Sequence, residues 1–444
     1  MLLTEKEARE ITDKILSYVK ADDAQVSVSS EKNSHLRFAR NAFLTSGNTF
    51  ERSAAVTVWT KGKKGAASVS DFSDESLKAM VEQAEQVAEI SPVDREYLPT
   101  LAPQTYKPTG GFVESTANLS LSARAKSIGD ILKNSAKSGV VSAGFHQTRA
   151  VANAFATKNK NFNFERRTFV SLSMTARTDD GTSSGYFARS HFDIDRLDTA
   201  RIARESIRKA TEGRNARTID PGVYTVILEP QAVADLLGGV AFQFDARSAE
   251  EGRSPYSLPD NKTKLGQKLF DERLNIYSDP WNAELPASAS AQGGIPAEKI
   301  YLVKNGVLDN LIYSRFWAKK SGKEPTPGPV NTIMESSAKA ATLEEMIAST
   351  PKGLIISRFW YIRATDPRTA SSTGLTRDGI WMIENGRVTY PVRNFRFNQS
   401  IIQMLAPGNV EMIGAPERVG DGNAAMLPAL KIKAFNFTSA SDAV

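Results

Sequence analysis

The residues able to carry chemistry in this chain are few and scattered. Its histidines are His35, His146 and His191, and it has no cysteine. A zinc site usually draws two ligands from within a few positions of each other, as H-E-x-x-H does on one helix face. No histidine here has another three to five positions away, so a metal held by all three would need the fold to gather them and add carboxylates. Each reads instead as an ordinary sheet histidine. The lack of cysteine excludes disulfides, thiolate metal sites, iron–sulfur clusters and a thiol nucleophile, and it fits a reducing cytosol. GTSSG at 181–185 matches the G-x-S-x-G elbow around Ser183. That elbow needs a strand before it, a helix after it, and a later carboxylate and histidine. Its flanks, SLSMTARTDD and YFARSHF, read as two strands joined by a turn, and no carboxylate lies between Gly185 and His191. Neither a phosphate-binding G-x-x-x-x-G-K-[ST] nor a G-x-G-x-x-G after a strand occurs, so nucleotide chemistry has no support. The adjacent pairs Asp179–Asp180 and Glu250–Glu251 would point apart in a strand and read as surface or turn residues.

The elements that must position any site divide the chain in two. With 444 residues, 41% apolar and 24% charged, it exceeds what one core usually serves. The opening MLLTEKEAREITDKILSYVK lacks a long apolar run and is read as a helix, not as a secretory signal or membrane anchor. Thr4 and Glu7 form a capping box, and Ala8, Ile11, Ile15 and Val19 mark one face. Alternating stretches at 24–30, 35–46 and 53–70 read as antiparallel strands, the last turning at KGKKG. That lysine cluster is the densest in a chain of net charge +6; it reads as a hairpin tip, and no nucleic-acid partner is expected from it. Ser73 caps a helix with Leu77, Met80, Val81, Ala84 and Val87 on its buried face. A proline-punctuated connector leads to a third helix near 119–138, carrying Leu121, Ile128, Ile131 and Leu132. Two long strand-like runs and a basic helix near 195–212 complete the unit. EGRNARTIDPG is a plausible boundary, giving domains 1–217 and 218–444.

In the second domain, the strand PGVYTVILEP runs straight into DLLGGVAFQFDA at 235–246. The apolar rhythm is helical, yet Gly238 and Gly239 sit inside it, each costing an exposed helix interior roughly 1 kcal/mol relative to alanine. Beyond it come short strands, with Asn305–Gly306 and Asn385–Gly386 marking two type I′ hairpins. The expected class is α+β: an N-terminal mixed α/β sheet domain, and a C-terminal domain of mainly antiparallel strands, barrel- or sandwich-like, enclosing the helix near 230–245. On residues alone the activity stays open.

The stretch VILEPQAVADLLGGVAFQFDARSAEEGRSPYSL resembles the TldD/PmbA family, also known as modulator of DNA gyrase. The likeness continues through KLGQKL, EKIYLVKNGVLDNLIYSRFWAKKSG and GIWMIENGRVTYPV, and upstream in RFARNAFLTSGNTFERSAAVTVWTKGKKGAASVSDFSDESL. It covers nearly the whole chain. The resemblance implies that TldD-like members are metallopeptidases presenting HExxxH from a helix after such a strand, with a cysteine from the C-terminal region. Laid on this chain from Leu236–Leu237, the first histidine falls at Gly238, the glutamate at Gly239 and the second histidine at Gln243; the cysteine falls near Met382. None of those side chains can serve zinc as the family's do. The resemblance is therefore to the PmbA, or TldE-like, branch, implying a cytoplasmic subunit with no catalytic or metal residue of its own. Zinc would belong to an HExxxH-bearing TldD-like partner in a heterodimer acting on unfolded peptides, with Gln243, Arg247 and Arg253 as groove candidates here. A homodimer is the alternative assembly, and no membrane association is expected. Two other readings stay open. One is a self-contained metal-dependent hydrolase using His146, His191 and Glu250–Glu251. The other is a gyrase-modulator-like binding or regulatory homodimer, whose only physical support is the positive charge.

Overall fold

The computed structural model describes residues 1–238, 244–422 and 424–441. Helix α1 (Glu5–Tyr18) starts at the Thr4–Glu7 capping box and buries Ala8, Thr12 and Ile15. It rests on long strands, β1 (Asp23–Ala39), β2 (Ala42–Thr60) and β3 (Lys63–Val69), which are followed by α2 (Asp74–Ile90). The connector carries the short α3 (Glu114–Ala117) and leads into α4 (Leu121–Lys137). Strands β4 (Val140–Thr157), β5 (Phe162–Thr178) and β6 (Ser184–His191) and helix α5 (Thr199–Glu212) finish this half. The sheet order is β3-β2-β1-β4-β5-β6, and every pair is antiparallel.

Period-two alternation decides which face is covered. Val26, Val28, Leu36 and Phe38 point to one side of β1 and are buried, the first two beneath α1 and α2, the last two beneath α4 and α5. All four long helices thus lie on one face of the sheet, leaving the other for the second domain. Two glycines let helices rest directly on strands. A Cβ at Gly65 of β3 would lie 2.5 Å from the backbone nitrogen of Ala88, and one at Gly185 of β6 would lie 2.6 Å from that of Ala210.

Several local expectations change. HLRFARNAFLTS is not one strand: Arg40 and Asn41 have φ of 52° and 57° and form a tight turn between β1 and β2. The alternation continues across the turn, which is why the break is silent in the pattern. The Asn41 side chain holds the turn, donating to Val140 O and accepting from Ser142 N, both at 2.7 Å. Val87 and Leu121 are exposed; Ala88 and Arg124 occupy the buried positions on their helices. The GTSSG segment is the β5–β6 turn, and each histidine lies in a strand.

The second half begins with β7 (Gly222–Leu228), which enters α6 (Pro230–Leu237). The elements that follow are α7 (Ala246–Glu250), β8 (Leu274–Ser278), β9 (Ile300–Lys304), β10 (Val307–Leu308), α8 (Arg315–Ser321), β11 (Ile333–Ser336) and α9 (Leu343–Ala348). The chain ends with β12 (Lys352–Asp366), β13 (Ser371–Glu384), β14 (Arg387–Pro391), β15 (Phe395–Ser400), α10 (Ile401–Met404), β16 (Val410–Val419) and β17 (Ala425–Ala440). Because β7 pairs with both β12 and β17, the strands β7-β12-β13-β15-β17 close into a ring, which removes two sheet edges. Phe359, Phe395, Phe397, Phe435 and Phe437 cluster in its core, with ring centroids 4.8 to 5.7 Å apart. Both Asn-Gly turns form, with φ of 49° and 76° at Asn305–Gly306 and 51° and 75° at Asn385–Gly386. The fold is α+β, with parallel pairing only at β7–β12 and β11–β17 among the described strands.

Candidate functional site

The helix-free face of the first sheet meets the second domain through β6. Ser184 Oγ donates to Asp378 Oδ1 at 2.6 Å, Tyr186 Oη to Asp421 at 3.3 Å and Ser190 Oγ to Gly420 O at 2.7 Å. Beyond this seam the two halves separate around a cavity of about 890 Å3. Strands β4 and β5 supply one wall, where Arg149, Val151, Arg167 and Phe169 line the space. Val151 is in register with Arg167 and Arg149 with Phe169, so cationic and apolar side chains alternate across this wall. Opposite lies the C-terminal end of α6, with Ala234, Leu237 and Gly238, and Arg418 of β16 also faces the space.

α6 brings the questioned glycine to this cavity. Pro230 at the first turn starts the helix, Ala232, Val233, Leu236 and Leu237 are buried, and Gly238 is its C-cap. Gly238 has φ −54° and ψ −26°, a conformation open to any residue. Among the described residues, a Cβ there would meet Ala234 O, at 3.4 Å, and Asp235 O, at 3.8 Å. Neither backbone strain nor the close approach of a described neighbour requires glycine at this position. Helix α6 itself stops at Leu237, one turn into the apolar run; Gly239 and Gln243 lie outside the described residues.

The described residues around Gly238 do not suit a zinc ion. Glycine offers no side-chain donor. The one carboxylate nearby on the cavity wall, Asp245, caps α7 by accepting from Ser248 N at 2.7 Å. Met382 is buried in the core, paired across strands with Leu354 and Tyr390. Among the described residues no group of three histidine, aspartate or glutamate side chains is placed to hold a metal.

The other candidates are dispersed. His35 and His146 sit at adjacent positions of the β1–β4 ladder, where Leu36 is His146's partner, and so point to opposite faces. His146 is buried, and desolvation helped by Arg124 holds its imidazole down to about 4. His191 Nε2 lies 3.8 Å from Glu284. Glu250 is taken up in the second domain, accepting from Tyr313 Oη, Trp317 Nε1 and Ser321 Oγ. The ligand set of the self-contained hydrolase is thus not assembled. Arg247 pairs with Glu96 and Glu251, and Arg253 with Glu251; neither is among the residues lining the cavity.

What sequence reasoning missed is Arg149, Arg167 and Arg418. The first two are placed by period-two alternation, but only the β4–β5 register brings them together. Asp235 was also missed. Its Oδ2 accepts from Phe359 N at 2.8 Å and its Oδ1 from Gln231 at 2.8 Å. Burial pushes its carboxyl up to about 6, against the pull of Arg358 and these hydrogen bonds.

A helix-backed antiparallel sheet facing a ring-closed β domain across a cavity defines a two-domain class of α+β protein. The chain belongs to the PmbA/TldD family. Residues 221–439 match the PmbA/TldA metallopeptidase C-terminal domain and residues 24–88 match PmbA/TldA metallopeptidase domain 1. The fold is similar to that of TldE from Thermococcus kodakarensis, with TM-score 0.86 at 16% identity over 97% of this chain and 99% of that one. It is also similar to a candidate DNA gyrase modulator from Thermotoga maritima, with TM-score 0.84 at 17% identity over 97% and 100%. In sequence, the chain is 24% identical over 275 residues to a metalloprotease of Methanothermobacter thermautotrophicus, covering 57% of this chain and 58% of that protein. A Synechocystis metalloprotease is 22% identical over 243 residues, 51% of this chain and 49% of that protein. The chain therefore spans only about half the length of these curated relatives.

Proposed function

We propose that this chain is the PmbA/TldE-like subunit of a cytoplasmic peptidase whose zinc is bound by a second, HExxxH-bearing TldD-like chain, and that the pair acts on unfolded peptides. The observation that carries the reading is Gly238. It stands at the cavity end of the helix from which the family presents its metal, in a helical backbone whose described neighbours leave room for a Cβ. The adjoining Gly239 and Gln243 supply neither a histidine nor a glutamate, and there is no cysteine to complete the set. No described helix is long and apolar enough to cross a membrane. Phe43, Leu44 and Phe50 are exposed on the part of β2 that runs past β3, an apolar strip suited to contact with another chain.

Affinity purification from the native host tests the assembly: an HExxxH-bearing homologue should co-purify in equal amount. Metal analysis tests the division of labour. The isolated chain should hold far less than one zinc per molecule after zinc incubation and leave an unstructured peptide intact. Stoichiometric zinc together with cleavage by this chain alone would end the proposal.

A further inference from the structure

Among the described residues, the cavity wall carries a cation with no carboxylate in ion-pair contact. Arg418 Nε donates to Ser190 O at 2.7 Å, and its Nη1 donates to Glu284 O. Among the described residues no carboxylate oxygen lies within ion-pair distance of it; the Glu284 carboxylate is turned to Arg196, at 2.9 Å. The other two arginines of the wall are different. Arg149 is engaged side-on by both oxygens of Glu31 at 2.8 Å. Arg167 pairs through Nη2 with Glu165 at 3.0 Å, while its Nε is buried with no hydrogen-bond partner. A guanidinium offers five donors in a rigid fork, and backbone carbonyls fix the direction of Arg418 while leaving donors unused. Burial opposes its charge, bringing the group down to about 10, and Glu284 offsets this in part. The rest of the lining is largely apolar, including Leu237, Leu285, Ile312, Pro329 and Val330.

We propose that Arg418, with Arg167 lining the same cavity, binds the terminal carboxylate of a peptide whose last residues are apolar. An arriving carboxylate would compensate the wall's cation that has no ion-pair partner among the described residues, with the Arg167 guanidinium adding positive charge on the same wall, while apolar side chains fill the remaining lining. Such a site would anchor the C-terminal end of a peptide on this chain. The inference rests on the peptide reading of the function above and names the end of the peptide that this subunit holds.

Isothermal titration of the purified full chain, without a partner, tests it. The probes are an N-acetylated apolar tetrapeptide ending in leucine, as the free acid, as the C-terminal amide, and as an amide with an internal aspartate. The free acid should bind about tenfold or more tighter than either amide, as expected for a charge-assisted fork. Arg418→Gln should shrink the preference for the acid to about threefold or less, the remainder that Arg167 supplies. Since Arg418 also ties Ser190 to Glu284, Arg167→Gln provides a second arm, expected to shrink the preference for the acid with the thermal midpoint retained. Equal binding of acid and amide, no binding of any probe at millimolar concentration, or a preference unchanged in both variants overturns the proposal. Binding of the aspartate amide as tightly as the acid overturns its terminal assignment. Because no partner is present, failure here leaves the co-purification result standing, and failure to find a zinc-bearing partner leaves this titration standing.

Discussion

Lys209 Nζ lies 2.5 Å from Glu229 Oε2, with the two side chains only 2% and 12% exposed. The lysine belongs to α5, in the helical layer of the first domain; the glutamate is the N-cap of α6, the helix whose far end opens on the cavity. One ion pair thus joins the first domain to the start of that helix, and Glu229 N is itself held by Ile356 O at 3.0 Å on β12. Removing one member of a shielded pair leaves the other charge without compensation, which costs roughly 3 kcal/mol or more. Lys209→Met should therefore lower the unfolding free energy measured in urea by an amount of that order, and Lys209→Met combined with Glu229→Gln should recover at least half of it. A single substitution costing under about 1 kcal/mol, the range of exposed pairs, would show that the pair is solvated.

The glycines of the fold differ in whether the structure requires them, as Gly185 and Gly238 show. Gly185→Ala would drive a Cβ against the backbone of α5 at Ala210 and should cost about 2 kcal/mol or more through forced displacement of the helix. At Gly238 the helical φ and the ordinary van der Waals distances to its described neighbours predict the opposite. Gly238→Ala should be neutral or stabilising by up to about 1 kcal/mol, through reduced freedom of the unfolded chain. Thermal denaturation of the two variants side by side decides this. A loss at Gly238 comparable to that at Gly185 would mean that the glycine serves packing, and the vacated-ligand explanation would lose its physical basis.

Local signals in the sequence were read well where one residue's chemistry fixes one backbone feature. The Thr4–Glu7 box, the Ser73 cap and both Asn-Gly turns all appear as expected. The turn at Arg40–Asn41 escaped because its support is remote: Asn41 is held by β4, a hundred residues along the chain. Arg124 escaped for a related reason. Its guanidinium is buried only because Leu119 O and Thr148 Oγ1 accept from it, and no periodicity announces such partners. The candidate site divides in the same way. Gly238 was found because a motif could be laid over it, whereas Arg149, Arg167 and Arg418 converge only through strand register and the docking of the two domains.

The half-buried Asp235 carboxyl and the buried His146 imidazole should pull the acid stability of the fold in opposite directions. Asp235 has its carboxyl raised from 3.8 to about 6. The native state therefore holds this proton more tightly than the unfolded chain does. Its contribution is fully present below pH 3.8 and is lost as pH rises through about 6. His146 is lowered from 6.5 to about 4, so the unfolded chain takes up its proton first. Its contribution is present above pH 6.5 and is lost as pH falls through about 4. Between these limits the two terms oppose each other, each with a slope of at most about 1.4 kcal/mol per pH unit. Asp235→Asn keeps an acceptor for Phe359 N and removes one term, so stability should fall more steeply on acidification than in the native chain. His146→Gln removes the other and should make the fall shallower. Urea unfolding at several pH values from about 4 to about 7, the span between the two shifted groups, measures both slopes. Parallel curves for the native chain and Asp235→Asn would show that the carboxyl beside Phe359 titrates as it does in water, and that α6 is more open to solvent than its packing against β12 and β17 indicates.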